Sequence, residues 1–170
     1  MSAASEYSTW KAPAAKESLM EKTLLLIKTD AVKRRLAGRI IERLEDKGFA
    51  IVAMKMFQFT RQAAEKFYSE HVGKPFYEPL VKFMTSGPTI AVVVSGKSAV
   101  VVVRKLVGKT DSSQAEPGTI RGDFGLSNRY NLVHASDSKE SFEKESAAVF
   151  DACDIIDRQM DELICFPEEL

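Results

Sequence analysis

The sequence predicts an α/β fold in which helices cover an antiparallel sheet of four strands. Short apolar runs that suit strands, TLLLIK at residues 23–28 and TIAVVVS at residues 89–95, alternate with segments whose apolar residues recur at helical spacing. The resulting order is strand, helix, strand, helices, strand, helix, strand, helix. This order fits a ferredoxin-like α+β sandwich, in which the helices pack on the sheet.

Length and composition limit the class of protein. A chain of 170 residues, 45% hydrophobic and 28% charged, is sufficient for one globular domain with its own core. The net charge is +0 and the pI is near 6.8, so we expect no strong electrostatic attraction to nucleic acid or to a membrane. An acidic substrate must therefore be bound by a local cluster of basic side chains.

The ends of the chain and its cysteines indicate where the protein resides. Residues 1–20 are rich in Ala and Ser and lack the apolar core of a secretory signal, so we predict a flexible extension. An organelle transit segment is a lesser alternative, because this stretch contains no Arg. The longest apolar runs are too short to span a bilayer. Cys153 and Cys165 show no metal-binding or redox spacing and predict free thiols in a reducing compartment, the cytoplasm.

The first strand is predicted over residues 23–28, and either Thr29 or Asp30 can cap the element that follows. Apolar residues then recur at helical spacing over residues 32–47, which predicts one helix. Lys28 is therefore predicted at the end of the strand, immediately before the helix, where a side chain can face a ligand.

Gly48 is predicted to end this helix. Residues 49–59 are apolar on both faces and predict a strand covered on both sides. A polar helix is predicted over residues 61–72. His71 lies at its end, where a cationic ring favours the helix dipole, so we interpret it as surface structure and not as a catalytic residue. A short helix is predicted around residues 80–84.

The third strand, residues 89–95, runs into a Gly-Lys-Ser tripeptide that resembles the end of a phosphate-binding P-loop. That motif requires a glycine five residues earlier, where this chain has Ala91 within an apolar strand, so a P-loop phosphotransferase is kept only as an alternative. Residues 99–107 favour a strand by propensity. However, Ser98 can cap a helix and the apolar residues share one helical face, so we predict a helix.

Residues 117–138, PGTIRGDFGLSNRYNLVHASDS, contain the candidate site. An apolar pair at 132–133 predicts a short strand, which His134 ends. A histidine after two apolar residues is more often structural than catalytic, but its neighbours here suit anionic oxygens. These neighbours are Arg121, Arg129, Asn131, Ser136 and Ser138.

These residue types fit covalent transfer of phosphate. An imidazole with an unperturbed pKa of about 6.5 can attack an electrophile at neutral pH and can also leave again. Glu145 lies eleven residues beyond His134 on a helix predicted at residues 138–150. A carboxylate that reaches the second ring nitrogen would set the tautomer, as in a catalytic triad.

The pattern PGTIRGDF followed by N-x-x-H-A-S-D-S resembles the active-site segment of nucleoside diphosphate kinases, and the similarity extends over about residues 22–150. The resemblance implies a kinase-like domain at residues 21–150 and a divergent segment at residues 151–170 that packs on the domain or on a neighbouring subunit. It also supports the helix at residues 99–107. The implied activity is ping-pong transfer of the terminal phosphate from a nucleoside triphosphate to a nucleoside diphosphate through a phosphohistidine on His134.

The site residues that the motif and the resemblance indicate fall into two groups. Catalytic roles are expected for His134, Glu145, Tyr68 and Ser136. Nucleotide and phosphate contacts are expected for Lys28, Phe76, Leu80, Arg104, Thr110, Arg121 and Asn131. Within the second group, Phe76 and Leu80 match an apolar clamp on the base, and Asn131 matches a contact to the sugar hydroxyls. Stacking distinguishes poorly between bases, because every base has a flat face, so we expect the site to accept many nucleotides.

The resemblance also implies a cofactor and partners. Mg²⁺ is expected to bridge the nucleotide phosphates without a protein cage. The chain is expected to form a homo-oligomer, a tetramer or hexamer, and to bind neither membranes nor specific nucleic acid.

Four departures from the family pattern keep an alternative open. The K-P-D-G segment of the family reads KTDA at residues 28–31, and Ala135 replaces the commoner glycine. Ser112 stands where the family often has a proline in a loop that holds subunits together, and residues 126–130 read LSNRY where many relatives have a segment ending V-G-R. The alternative is an inactive family member that acts as an oligomeric binding or regulatory protein.

Overall fold

The structure, a computed structural model, describes residues 20–156. The strands in this part of the chain are β1 (Met20–Ile27), β2 (Ala50–Phe57), β3 (Thr89–Lys97) and β4 (Val133–Ala135). They form one sheet in the order β2-β3-β1-β4, and every neighbouring pair is antiparallel. The predicted α/β sandwich with a four-stranded antiparallel sheet is confirmed.

Helices connect the strands. They are α1 (Thr29–Lys33), α2 (Ala37–Asp46), α3 (Arg61–Phe67), α4 (Tyr77–Met84), α5 (Ala99–Val107), α6 (Ile120–Phe124) and α7 (Lys139–Ala147). Short 3₁₀ turns occur at Ser69–His71, Ser112–Gln114 and Ala152–Asp154.

The sheet is buried on both faces, which explains why its central strands are continuous apolar runs. Successive side chains of a strand point to opposite faces. On β1, Leu25 and Ile27 enter a core covered by α1, α2, α5 and α6, whereas Leu24 and Leu26 enter a second core covered by α3 and α4. All four side chains are fully buried. A strand covered on both sides needs no polar alternation.

The single helix predicted over residues 32–47 is wrong, because the chain forms α1 and α2 with a turn between them. α1 ends in a Schellman motif, in which Arg35 N–H donates to Val32 O (3.0 Å) and Leu36 N–H donates to Ala31 O (3.0 Å). Arg35 has the left-handed backbone that the motif requires, with φ 58°. Glycine is the usual residue there, so the arginine gave no sequence signal, and the buried Leu36 side chain anchors the turn in the first core.

The stop predicted at Gly48 is confirmed. α2 ends in the same motif, with Gly48 N–H donating to Glu45 O (2.8 Å) and Phe49 N–H donating to Leu44 O (3.1 Å). Gly48 takes φ 86°, a conformation that a residue without Cβ adopts at little cost.

The predicted helix caps are wrong, although the helix predicted after Ser98 is confirmed as α5. Thr29 and Asp30 lie inside the first turn of α1, and no side chain caps it. Ser98 has a left-handed backbone with φ 52°, and its side chain does not cap α5. Glu21 on β1 takes this role, because its Oε2 accepts a hydrogen bond from Val100 N–H (3.0 Å). Local sequence gives no indication of a partner so distant along the chain.

β2 is an edge strand that is only partly covered. The prediction of a strand covered on both sides at residues 49–59 is therefore partly wrong. The side chains of Met54 and Met56 are 58% and 61% exposed. α3 is shorter than the helix predicted at residues 61–72, because the chain continues as the 3₁₀ turn Ser69–His71. The short helix predicted around residues 80–84 is confirmed as part of α4.

Some predictions concern the ends of the chain. The extension at residues 1–20 and residues 157–170, with Cys165, lie outside the described residues except for Met20. Cys153 is exposed and free. Ile156 N–H donates to Val52 O on β2 (2.8 Å), so the start of the C-terminal segment contacts the domain. No helix within the described residues 20–156 is long and apolar enough to cross a membrane.

Substitutions of two glycines by alanine should change stability in opposite directions. A Cβ at Gly38 or at Gly48 meets no atom of the described residues within 4 Å, so the backbone conformation decides the outcome. Gly38 lies in α2, where alanine is favoured by about 0.5–1 kcal/mol. Gly48 is left-handed, where a Cβ costs about 1–2 kcal/mol. Circular dichroism at one protein concentration should show Gly38→Ala melting about 1–4 °C higher and Gly48→Ala melting about 2–8 °C lower. A lower melting temperature for both variants would contradict this argument.

Candidate active site

A cleft of about 820 Å³ lies among residues of β4, α3, α4, α5, α6 and α7. This volume is in the range of small-molecule binding sites. Every predicted site residue except Ser136 lines the cleft: Lys28, Tyr68, Phe76, Leu80, Arg104, Thr110, Arg121, Asn131, His134 and Glu145. The structure therefore brings together residues that lie far apart along the chain.

His134 lies within β4, paired with Leu26 of β1, and does not end the strand as predicted. Its Nε2 lies 2.9 Å from Oε1 of Glu145 on α7. The second carboxylate oxygen of Glu145 accepts a hydrogen bond from the Ser136 hydroxyl (2.7 Å), so the carboxylate is held at both oxygens. Ser138 fixes the start of α7, because its side chain accepts a hydrogen bond from Ser141 N–H (3.0 Å).

This contact determines which ring nitrogen of His134 is available for chemistry. An ionised carboxylate can only accept a hydrogen bond, so Glu145 favours the tautomer with the proton on Nε2. The lone pair is then on Nδ1, which has no hydrogen-bond partner among the residues described. Ser136 acts behind Glu145 and does not line the cleft itself.

The ring of Tyr68 packs edge-on against the ring of His134. Its centroid lies 6.1 Å from that of His134. The side chain is buried, and within residues 20–156 the hydroxyl has no hydrogen-bond partner. Burial raises the pKa of Tyr68, and the charge of Glu145 adds to the effect. The hydroxyl thus remains a protonated donor whose hydrogen bond no described residue accepts.

Lys28 follows β1 and is buried in the cleft wall with 6% exposure. Its Nζ donates to Oδ1 of Asn131 (2.5 Å) and to the backbone oxygen of Arg129 (3.2 Å). Burial lowers the pKa of Lys28 to about 8, while Asp30 opposes this shift and Arg121 adds to it. The ammonium group is therefore a poorly solvated charge for which an anionic ligand would be a favourable partner.

Within residues 20–156, Arg121 donates hydrogen bonds only to backbone oxygens. Its Nε, Nη1 and Nη2 donate to the carbonyls of Asn131 (3.2 Å), Gly108 (3.0 Å) and Val133 (2.7 Å). Burial lowers the pKa of Arg121 to about 10, and Arg104 contributes to the shift. Carbonyls orient the guanidinium without neutralising it, so its positive charge is available to the cleft.

The cleft is positively charged although the chain is neutral overall. Its basic side chains are Lys28, Arg104, Lys109, Arg121, Arg129 and Lys144. Its carboxylates are Glu70, Asp137 and Glu145. Two of these are already engaged, because Glu70 pairs with Lys144 (2.6 Å) and Glu145 contacts His134. The remaining positive charge is suited to phosphate oxygens.

An aromatic wall extends from His134 to the far end of the cleft. Tyr68 stacks with His71 at 6.2 Å, and His71 meets Phe76 edge-on at 5.4 Å. The half-buried ring of His71 in the cleft wall does not contradict its interpretation as surface structure and not as a catalytic residue. The signal for its place in the cleft wall was its position three residues after Tyr68, since residues spaced by three share one side of a helical turn.

Sequence reasoning also missed several residues of the cleft. Lys109, Asn128 and Lys144 line it without having been predicted as site residues. Thr110 lines the cleft, and its backbone oxygen accepts from Asn131 Nδ2 (2.8 Å), so this loop is tied to the site.

The described residues support neither a P-loop nor a metal site made of protein side chains. The tripeptide at 96–98 forms the end of β3 and the residue after it, and Gly96 pairs with Glu21 of β1. A residue in a sheet ladder cannot belong to a phosphate-binding loop. Among residues 20–156, no group of three or more His, Cys, Asp or Glu side chains is arranged to hold a metal ion.

Comparison with known proteins agrees with this geometry. The family model for nucleoside diphosphate kinase matches residues 21–155. A nucleoside diphosphate kinase of Methanocaldococcus jannaschii is 56% identical over 140 residues, which are 82% of this chain and 100% of that protein. The enzyme of Thermoplasma acidophilum is 52% identical over 139 residues, 82% of this chain and 94% of that protein.

Solved structures extend the agreement to the fold. The Aquifex aeolicus nucleoside diphosphate kinase superposes with a TM-score of 0.79 and 41% identity, covering 81% of this chain and 99% of that one. A halophilic nucleoside diphosphate kinase from Halobacterium salinarum, solved in complex with CDP, superposes with a TM-score of 0.79 and 42% identity, covering 82% of this chain and 93% of that one. The chain belongs to the nucleoside diphosphate kinase family.

Proposed function

We propose that the chain moves the terminal phosphate of a nucleoside triphosphate to a nucleoside diphosphate in two half-reactions through Nδ1 of His134. Membership of the family makes the chain a phosphotransferase that acts on nucleotides. The observation that carries the proposal is the contact between His134 Nε2 and Glu145, because it leaves Nδ1 with a free lone pair in a cleft rich in cations.

In the first half-reaction, the Nδ1 lone pair attacks the terminal phosphorus and the bond from phosphorus to the bridging oxygen breaks. The electron pair of that bond leaves with the nucleoside diphosphate. Glu145 keeps its hydrogen bond to Nε2–H and offsets the positive charge that the phosphorylated ring would carry. In the second half-reaction, a terminal oxygen of another diphosphate attacks the phosphorus, and the electron pair returns to Nδ1.

The cations of the cleft would stabilise the charge on the transferring group. Lys28, Arg104 and Arg121 are placed to contact phosphate oxygens, and the unpartnered hydroxyl of Tyr68 adds a neutral donor. Thr110 would contribute a further contact. Lys28 and Arg121 already have fixed hydrogen-bond partners, so little reorganisation is needed when the phosphates arrive.

The rest of the nucleotide would occupy the opposite end of the cleft. Phe76 and Leu80 offer apolar surface to a base, and Asn131, positioned by Lys28, is within the same cleft to meet the sugar. Stacking would tolerate any base. The complex of the Halobacterium salinarum relative with CDP supports a pyrimidine nucleotide as one ligand of such a site.

Mg²⁺ would reach the site on the nucleotide phosphates. The donor set fits this arrangement, since Asp137 lines the cleft and forms no close ion pair within residues 20–156. A hydrogen bond from Ser141 lowers the pKa of Asp137 most, and the charges of Arg104 and His134 lower it further. Mg²⁺ commonly uses one or two carboxylates together with phosphates and water. When bound, the ion would neutralise phosphate charge and align the phosphates.

A homo-oligomer, of four or six subunits, remains part of the proposal. The exposed Met54 and Met56 on edge strand β2 support it, because apolar side chains beside an unpaired strand edge suit contact with another subunit. The boundaries of the domain at residues 21 and 150 and the cytoplasmic location stay predictions.

Incubation with terminally labelled ATP and Mg²⁺ should label the protein on His134. The isolated adduct should be labile in acid, and ³¹P NMR should place the phosphate on Nδ1. Addition of a different nucleoside diphosphate should discharge it. His134→Asn should form no adduct and should lose turnover, because no other nucleophile replaces the imidazole.

The other outcomes of this experiment favour the alternatives. Slow direct transfer without an adduct would favour a phosphotransferase without a covalent intermediate. Binding of nucleotide without any transfer would favour an inactive binding member of the family. Phosphate on Nε2 would contradict the role given to Glu145.

Tyr68→Phe should lower kcat by about ten- to a hundredfold, since a hydrogen bond to a charged oxygen contributes about 1.5–3 kcal/mol. Thermal stability should not fall, because the removed hydroxyl has no partner among the described residues. Tyr77→Phe is the matched control, since Tyr77 packs on the second core and does not line the cleft. Equal kcat for the two variants would exclude the hydroxyl from catalysis.

The value of kcat/KM should fall as the pH rises through about 8, where the free protein loses the charge of Lys28. Bound phosphates stabilise the ammonium ion, so the corresponding decline in kcat should occur at higher pH. Lys28→Arg should be slower but should lack the decline near pH 8, because arginine stays charged throughout this range. The same decline in Lys28→Arg would show that another group is responsible.

A further inference from the structure

We propose that Asp30 is a positioning residue of the phosphate site, whose carboxylate holds a strained turn at Leu132 between Asn131 and His134. The inference rests on the proposed function, because it concerns how the residues with roles in that function are held in place. Asp30 itself does not line the cleft.

The backbone at Leu132 has a rare conformation. Its φ is 72°, and Val133 N–H donates to Asn131 O across it (2.8 Å). A hydrogen bond between residues two apart around a positive φ defines a γ-turn of the strained kind. Leucine carries a Cβ and a branched side chain, so this conformation persists only where its surroundings enforce it.

The surroundings hold the turn on every side. Oδ2 of Asp30 accepts from Leu132 N–H (3.1 Å), and Leu132 O accepts from Lys28 N–H (2.8 Å). Arg121 donates to the carbonyls on either side of Leu132, those of Asn131 and Val133. The Leu132 side chain is fully buried in the first core. Among these contacts, Asp30 alone satisfies the N–H of the strained residue.

The turn sets the geometry of two functional groups. Asn131, which precedes it, hydrogen-bonds Lys28 Nζ (2.5 Å). His134 follows two residues after Leu132, in register with Leu26. Rotation of Leu132 to a negative φ would reorient the peptides that join Asn131 to β4, and the amide and the imidazole would both move relative to Lys28.

The position of Asp30 in the first turn of α1 favours a negative charge, but this interaction does not require the hydrogen bond from Leu132 N–H. Asp30 caps no helix, and its other oxygen, Oδ1, is buried without a hydrogen-bond partner in the described part of the chain. A buried carboxylate with one unsatisfied oxygen is unfavourable for folding. Such a cost is characteristic of groups that are kept for function.

The charge of Asp30 has a second effect on the site. The charged groups that act on Lys28 are Asp30, which raises its pKa, and Arg121, which lowers it. Removing the carboxylate charge therefore favours neutral Lys28 at a lower pH. This electrostatic effect on Lys28 is separate from the hydrogen bond that Asp30 accepts from Leu132 N–H.

Two substitutions separate the hydrogen bond from the charge. Asp30→Asn keeps a side-chain oxygen that can accept from Leu132 N–H, whereas Asp30→Ala removes both acceptor and charge. Thr23→Val is the control, because Thr23 is equally buried, its hydroxyl has no partner within residues 20–156, and it does not line the cleft. Each full-length variant is compared with the wild type by NMR hydrogen exchange at Leu132 N–H, by the single-turnover rate per folded protein, and by the pH dependence of kcat/KM.

In Asp30→Ala, we expect exchange at Leu132 to be faster by about a hundredfold and the single turnover to be slower by about tenfold or more, as for a small misplacement of reacting groups. Asp30→Asn should retain most of the rate at pH 7, and its decline in kcat/KM should move to lower pH. Thr23→Val should match the wild type in all three measurements.

A folded Asp30→Ala with wild-type exchange and wild-type turnover would overturn the proposal. If Asp30→Ala does not fold, Asp30→Asn decides, because a neutral amide oxygen is a weaker acceptor than a carboxylate, and wild-type exchange at Leu132 N–H in that variant would overturn the proposal. A wild-type protein that forms no phosphohistidine would instead refute the proposed function, while exchange at Leu132 would still test the turn by itself.

Discussion

Buried positive charge that a nearby carboxylate compensates only in part is the constraint around which the site is organised. Lys28 and Arg121 are buried in the cleft wall, and neither forms an ion pair with a carboxylate in the described residues. Their hydrogen bonds go to an amide oxygen and to backbone carbonyls. The charge of Asp30 acts on Lys28 but does not outweigh the effect of burial, and a polyphosphate would supply further negative charge. Nucleotide binding would therefore relieve a cost that the unliganded protein carries.

The sheet makes this arrangement possible. Antiparallel pairing of β1 with β4 places His134 opposite Leu26, two residues before Lys28. The hydrogen bond between Lys28 and Asn131 joins positions 103 residues apart. Since both faces of the sheet are buried in apolar cores, neither strand can slip without exposing its core side chains. The relative positions of the lysine and the histidine thus follow from the register of two strands.

Sequence reasoning succeeded where the signal is local and failed where it is tertiary. The buried strands, the helix at residues 99–107 and the stop at Gly48 depend on nearby residues, and the structure has them. The predicted contact between Glu145 and His134 is also present, because it joins a helix to the strand that precedes it in the sequence. Arg35 and Leu132 take left-handed conformations that their residue types disfavour, so only tertiary contacts account for them. The cap from Glu21 to α5 and the bond from Asp30 to Leu132 likewise depend on distant partners.

The two ends of the cleft differ in burial, and in the proposed function this difference separates chemistry from recognition. His134 is fixed at Nε2 by Glu145 and packs edge-on against Phe67 (5.6 Å) and Tyr68. At the other end, Phe76 is 48% exposed and is contacted by the half-buried His71. Phosphoryl transfer requires accurate alignment of the nucleophile, whereas stacking on a base tolerates movement. A phosphate end held by buried hydrogen bonds and a base end left open to solvent are what an enzyme needs if it treats every nucleotide alike at the phosphate and reads the base weakly.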